Sequence, residues 1–142
     1  MADPEPALTK ADFESLSEFR YQLRRFLRFS EDAARSEGLT PAQYQLLLHI
    51  KGYPGREWAT VGELAVRLQT QQHGVVTLVT RCEGAGLVRR SPGQTDRRQV
   101  HVRLTPDGEA CLRRLAERHR AELKSLSGVF QVANISEFND RR

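Results

Sequence analysis

The amino-acid sequence predicts a mainly α (α+β) fold, on three observations. Two helical patterns separated by a polar break occupy Thr60 to Val88, in TVGELAVRLQTQQHGVVTLVTRCEGAGLV. Directly after them, RRSPGQTDRRQVHVRLT reads as strand, charged turn, strand. Long amphipathic helical stretches stand on either side of this block. Helix, turn, helix and basic ribbon in that order predict a winged helix-turn-helix with long N- and C-terminal helices.

At 142 residues, one domain with its own core is expected. Residues 1–9, acidic and proline-broken, read as a disordered N-terminus, leaving 10–142 as the single domain. Seven arginines between Thr60 and Thr105 face Glu63, Glu83 and Asp96, a local +4 that equals the net charge of the whole chain. Positive charge gathered on one compact element is the electrostatic footprint of a nucleic-acid binder. No apolar run is long enough to span a bilayer and no signal peptide opens the chain, so a cytoplasmic protein is expected. Two cysteines, Cys82 and Cys111, imply no disulfide framework.

In chain order, Lys10 to Ser36 reads as one helix, with Leu16, Phe19, Leu23, Phe26, Leu27 and Ala34 at three- and four-residue steps and Gly38 as its cap. So much apolar surface predicts packing against a second chain. Thr40-Pro41-Ala42-Gln43 is a capping box with proline at the first helical position. Gly52 to Gly55 ends that helix, and Arg56-Glu57-Trp58 reads as an exposed connector that Trp58 could anchor. Thr60-Val61-Gly62-Glu63 is a second capping box, Gln69 to Gln72 the turn, and a helix to about Ala85 follows. On that helix Val75, Leu78, Val79 and Cys82 share the inner face. Val100, Val102 and Leu104 alternate with Gln99, His101 and Arg103, which predicts a half-buried strand with the first set inward. Thr105-Pro106-Asp107 starts the last long helix, with Leu112, Leu115, His119, Leu123, Leu126 and Phe130 along one stripe, and residues 134–138 suggest a further short helix.

These residues carry a resemblance. The TPAQ helix start at 40–43, LAVRL at 64–68, Gly86-Leu87-Val88, Asp96-Arg97-Arg98 and Leu104-Thr105-Pro106-Asp107-Gly108 stand in the order and spacing of the MarR family of winged-helix transcription regulators. The chain resembles that family over about residues 10 to 135. The resemblance implies a homodimer, with 10–37 and 106–142 as dimerisation helices and 40–105 as the DNA-binding lobe. It also implies a pseudo-palindromic double-stranded operator, repression, and release by a small, often aromatic, effector bound between the dimer helices and the lobe. Gly74 and Val76 replace residues that are commonly polar in the family, Cys82 replaces a common leucine, and the stretch after Phe130 is short.

For the recognition helix, Gln72, His73, Val76, Thr77, Thr80 and Arg81 are the candidate DNA contacts, since hydroxyls, imidazole and guanidinium reach base edges or phosphates. The bland alternative is an ordinary solvated helix face. On the wing, the candidates are Arg89, Arg90, Asp96, Arg97 and Arg98, with one of Arg97 and Arg98 entering a minor groove and the other holding Asp96. For an effector pocket, the candidates are Phe19, Tyr21, Phe26, Tyr44 and His119. Aromatic residues at helical spacing are more often core than pocket, and His119 is more often a packed, hydrogen-bonded residue than a ligand contact. The four histidines lie apart from any second ligand, so neither a metal site nor a cofactor is expected. No nucleophile elbow, phosphate loop or carboxylate pair suggests an enzyme. Two alternatives stand beside the regulator released by an effector. One is a redox switch through Cys82 or the better-exposed Cys111, and the other is a winged-helix module for protein–protein assembly.

Overall fold

The computed structural model describes residues 6–125. Its elements are α1 (Lys10–Ser36), α2 (Pro41–Lys51), β1 (Trp58–Thr60), α3 (Val61–Leu68), α4 (Gln72–Gly84), β2 (Val88–Pro92), β3 (Val100–Leu104) and α5 (Pro106–Ser125). They form a mainly helical structure with one small antiparallel sheet of order β1-β3-β2. Two compact units are distinguished: Glu31–Arg118, and the described residues on either side of it.

Within Glu31–Arg118, local chemistry sets the helix ends. Thr40 Oγ1 accepts the Gln43 amide at 3.1 Å, while Gln43 Oε1 accepts the Thr40 amide at 2.9 Å. Thr60 and Glu63 repeat the arrangement at 3.2 and 2.9 Å. Each box holds orphan first-turn amides and contributes about 1 kcal/mol. At the other end of α1, Gly38 adopts φ +77° and the Leu39 amide returns to the Ala34 carbonyl.

The core of this unit is built on α2. Leu46, Leu47 and Ile50 are fully buried, and α2 contacts α3, α4, β1 and β3. From α3 comes Leu64, from α4 Val75, Val79 and Cys82, and from β3 Val102, all with no exposed surface. Burying an aliphatic side chain of this size contributes about 1.5–3 kcal/mol.

The sheet departs from expectation in two places. Residues 58–60 form a strand, β1, paired with β3, so Trp58 is held in the sheet and not in an exposed connector. Along β3, Val102 is buried and Arg103 exposed as expected, but Val100 is exposed and His101 buried. The ladder explains this. Ala59, Val102 and Arg90 share the inner face, whereas Trp58, His101, Arg103 and Arg89 share the outer one. His101 is buried from the outside because the Trp58 ring lies stacked on it, with centroids 3.5 Å apart and planes at 11°. Val100 stands at the strand end beside the turn, where nothing covers it.

The two ends of the wing meet at Leu87. Its carbonyl accepts the Thr105 amide at 3.0 Å. Thr105 Oγ1 donates to the Gly86 carbonyl at 2.5 Å and accepts the Gly108 amide at 3.1 Å, which starts α5. A Cβ on Gly108 would lie 2.0 Å from the Leu87 carbonyl oxygen, so only glycine allows this crossing.

Outside that unit, the early part of α1 and the last described turns of α5 carry buried Asp12, Gln22 and His119. Asp12 Oδ2 accepts the Thr9 amide at 2.7 Å. Phe13, Leu16 and Leu27 are exposed. At 100° per residue they fall in one sector of α1 about 60° wide. Leu126, Phe130 and the expected short helix over 134–138 lie outside the described residues.

Gly108→Ala is therefore expected to destabilise the protein by about 1–3 kcal/mol through overpacking. Gly84 stands in α4 with nothing within 4 Å of an added Cβ. Gly84→Ala is expected to stabilise by about 0.5 kcal/mol. Urea unfolding midpoints of the two variants should move in opposite directions from the parent.

Candidate nucleic-acid interface

The turn before α4 is made by Gln69 in the left-handed conformation, φ 54° and ψ 48°. Gln71 follows as the N-cap of α4 without a side-chain hydrogen bond. Its carbonyl takes the Gly74 amide at 3.1 Å, and no side chain caps the Gln72 and His73 amides before it. An open groove of about 560 Å³ lies beside this turn, lined by Ala65 and Val66 of α3 and by Gln71 and Gln72. Along α4 the pattern is sharp: Val75, Val79 and Cys82 are buried, while Gln72, His73, Val76, Thr77, Thr80 and Arg81 are all exposed. Thr77 Oγ1 donates to the His73 carbonyl at 3.1 Å and Thr80 Oγ1 to the Val76 carbonyl at 2.9 Å. Each hydroxyl spends its proton inside the helix, which leaves the Thr77 oxygen to face outward and the Thr80 oxygen to accept from the wing.

The wing arginines divide by what they touch. Arg90 is committed to α4. Its backbone amide and Nη1 donate to the Glu83 carboxylate at 3.0 and 2.9 Å, and its Nη2 reaches Thr80 Oγ1 at 2.7 Å and the Val76 carbonyl at 3.2 Å. The Arg90 backbone amide first, and its guanidinium second, hold the Glu83 carboxyl below the usual glutamate range. The latch joins residues on two elements, Glu83 on α4 and Arg90 on β2, and helical or strand periodicity carries no sign of it. At the tip, Arg98 is the arginine that holds Asp96, by its backbone amide at 3.0 Å and by Nε at 3.1 Å. Those bonds hold the Asp96 carboxyl below its usual range. Arg97 is exposed and makes no ion pair among the described residues. Arg89 is exposed and lies directly opposite Arg103 in the ladder, a like-charge pair of which Arg103 also acts on the Glu57 carboxylate.

The candidate pocket residues separate. Phe26 and His119 meet edge to face at 5.9 Å, and Phe29 packs on the same imidazole at 5.5 Å. His119 Nε2 lies 2.8 Å from Ser30 Oγ, so this histidine is a packed, hydrogen-bonded group. Phe19 is half-buried, and Tyr21 is exposed with Arg25 over its ring at 5.7 Å. Tyr44 is buried in α2, within the other unit.

A helix-turn-helix whose second helix shows a polar face beside a basic two-stranded wing defines a winged-helix protein. A family model described as MarR family matches residues 37–99. The chain is 32% identical over 98 residues to a Thauera aromatica protein named as a transcriptional regulator for the hcr operon, covering 69% of this chain and 57% of that one. It is 28% identical over 78 residues to the HTH-type transcriptional repressor MdtR of Bacillus subtilis, covering 55% and 48%. The chain thus spans about half the length of these relatives. In structure it is similar to AbsC, a MarR family transcriptional regulator from Streptomyces coelicolor, with a TM-score of 0.74, 23% identity and coverage of 94% and 90%. It is also similar to a MepR variant from S. aureus solved bound to an oligodeoxyribonucleotide, with a TM-score of 0.65, 16% identity and coverage of 94% and 92%. Over residues 37–99 the chain thus matches the MarR family model, and its fold is the winged helix-turn-helix of MarR family structures.

Both cysteines are buried and unpaired, and Cys111, expected to be the better exposed, is only 5% exposed. It lies on the inward stripe of α5 with Leu112 and Leu115, so helix packing covers it. Burial pushes the Cys82 thiol up to about 11 and raises that of Cys111 as well. A raised pKa means less thiolate at neutral pH and slower attack on oxidants. Native protein at pH 7.5 is expected to react slowly with a thiol reagent at both positions, and quickly after unfolding in urea. Fast labelling of the folded protein would restore the redox alternative.

Proposed function

We propose that this chain is a dimeric, sequence-specific, DNA-binding transcriptional regulator that works in the cytoplasm as a repressor. The observation that carries the reading is the pairing of an exposed α4 face with a wing tip whose Arg97 is uncommitted. In this reading α4 enters the major groove. Gln72, His73, Thr77 and Arg81 contact base edges or phosphates, and Val76 supplies an apolar surface for a thymine methyl. Arg97 extends to the backbone or the minor groove, and Arg98 with Asp96 shapes the turn that aims it. Arg90 and Thr80 keep the wing at a set angle to α4, a supporting part. Arg89 lies exposed on the wing, where it would meet a phosphate.

The exposed Phe13, Leu16 and Leu27 sector on α1 supports a dimer, because an apolar stripe of this kind favours a partner helix. Two-fold symmetry then calls for an inverted-repeat operator with half-site centres about 10 bp apart. Release by a small effector rests on the resemblance to the MarR family, with Phe26 and His119 the residues best placed to respond.

Arg97→Ala is expected to weaken binding to many duplexes alike and to reduce the slope of log K against log salt by about 0.9 if a phosphate contact is lost. Arg81→Ala or Thr77→Ala should instead relax preference at particular operator positions by about 1–3 kcal/mol. Competition binding against selected and random duplexes over a salt series separates the two. Parent-like binding of both duplexes by the Arg97 variant would assign the wing to structure alone, and weak, salt-insensitive binding by the parent would favour the protein–protein module.

Leu16→Glu is expected to shift sedimentation from dimer to monomer and to weaken duplex binding in parallel. A parent that sediments as a folded monomer at micromolar concentration would overturn the dimer.

A further inference from the structure

We propose that Trp58 is a positioning residue for the wing: stacked on His101, it sets the direction in which the turn carrying Arg97 leaves the sheet. The proposal rests on the DNA-binding reading above and deepens it.

β1 is three residues long, yet it fixes the indole. With Trp58 opposite Arg103 and Thr60 opposite His101, Trp58 and His101 rise from the same face as diagonal neighbours. Diagonal pairs on antiparallel strands lie about 7–8 Å apart, within reach only of large rings. The observed stack, 3.5 Å between centroids and 11° between planes, uses that reach fully. The Arg56 guanidinium lies 3.8 Å from the same indole and also bonds Glu63, the carboxylate that caps α3. The indole is thus tied to the first helix of the helix-turn-helix.

His101 transmits this hold to the turn. A Cβ on Gly93 would sit 3.1 Å from His101 Nε2 and 2.4 Å from the Asp96 carbonyl oxygen, so the turn is folded tightly against the imidazole. The Gly93 amide donates to the Gln99 carbonyl at 2.9 Å, and the Gln99 amide to the Asp96 carbonyl at 3.1 Å. His101 Nε2 also lies 3.3 Å from Gln99 Oε1. Glu63, Arg56, Trp58, His101 and Gly93 therefore form a continuous chain from the α3 N-terminus to the wing turn. β1 pairs with β3 only at 101–103, so the turn leaves the sheet on β2 and β3 alone, and a two-stranded ribbon is marginal by itself.

The test uses the full-length protein and a duplex that the parent selects from a random-sequence pool. An aromatic stack corresponds to about a two- to twelvefold change in an equilibrium. Trp58→Leu is expected to speed amide hydrogen exchange at residues 93–99 by that factor while leaving α2–α4 unchanged. It is also expected to weaken duplex binding to a similar extent, and Trp58→Phe should restore both. In the Trp58→Leu background, Arg97→Ala should cost less than it does in the parent, because the mispositioned arginine has already lost its contact. Unchanged exchange at 93–99, or losses that add in full, would overturn the proposal. Should Trp58→Leu lose its helical signal, His101→Leu removes the same stack from the wing side and supplies the comparison. If the parent selects no duplex, the DNA-binding reading falls, and the exchange comparison alone still decides whether Trp58 holds the wing.

Discussion

The buried face of α2 is the constraint on which the lobe depends. Leu46, Leu47 and Ile50 leave no surface exposed, and α3, α4, β1 and β3 all lean on this one helix. Because interiors pack as tightly as organic crystals, the apolar sides of α3 and α4 can meet α2 in few ways. Turning Val75, Val79 and Cys82 inward turns Thr77, Thr80 and Arg81 outward. The polar face of α4 is thus a consequence of the core, and its capacity to meet another molecule follows from packing before any ligand is considered.

Electrostatics then sorts cations that the sequence offers as equals. Four wing arginines stand between Arg89 and Arg98, and the fold gives them different work. Arg90 is spent on Glu83, Thr80 and the Val76 carbonyl, where several bonds converge on one guanidinium. Arg98 is spent on Asp96, but its side chain is 91% exposed, and exposed pairs of this kind contribute about 0–1 kcal/mol. Its value lies in shaping the turn. What remains for an outside anion is Arg97 at the tip and Arg89 in the ladder.

The two sulfurs and the buried histidines fit the same logic. Cys82 fills a core position and its thiol is pushed up by burial, so it behaves as a small hydrophobe. His119 and His101 are both buried on aromatic rings, His119 edge to face and His101 face to face. Each imidazole solves a packing problem that an aliphatic side chain would solve less well, since its ring nitrogen also meets a polar neighbour.

Several features were decided by the sequence alone. The two capping boxes, the limits of α1 and the inward set of α4 are local, because each depends on residues within about one helical turn. The charge cluster around the wing is likewise a property of composition. Tertiary structure decided what depends on distant residues. β1 is too short to show a period of its own and exists because β3 offers it an edge. His101 is buried because Trp58, forty-three positions earlier, lies across it. Arg90 and Arg97 read alike in the chain, and only the approach of β2 to α4 spends one and leaves the other. Periodicity reports which face of an element is apolar; it carries no information about which neighbour will cover an exposed ring or claim a charge.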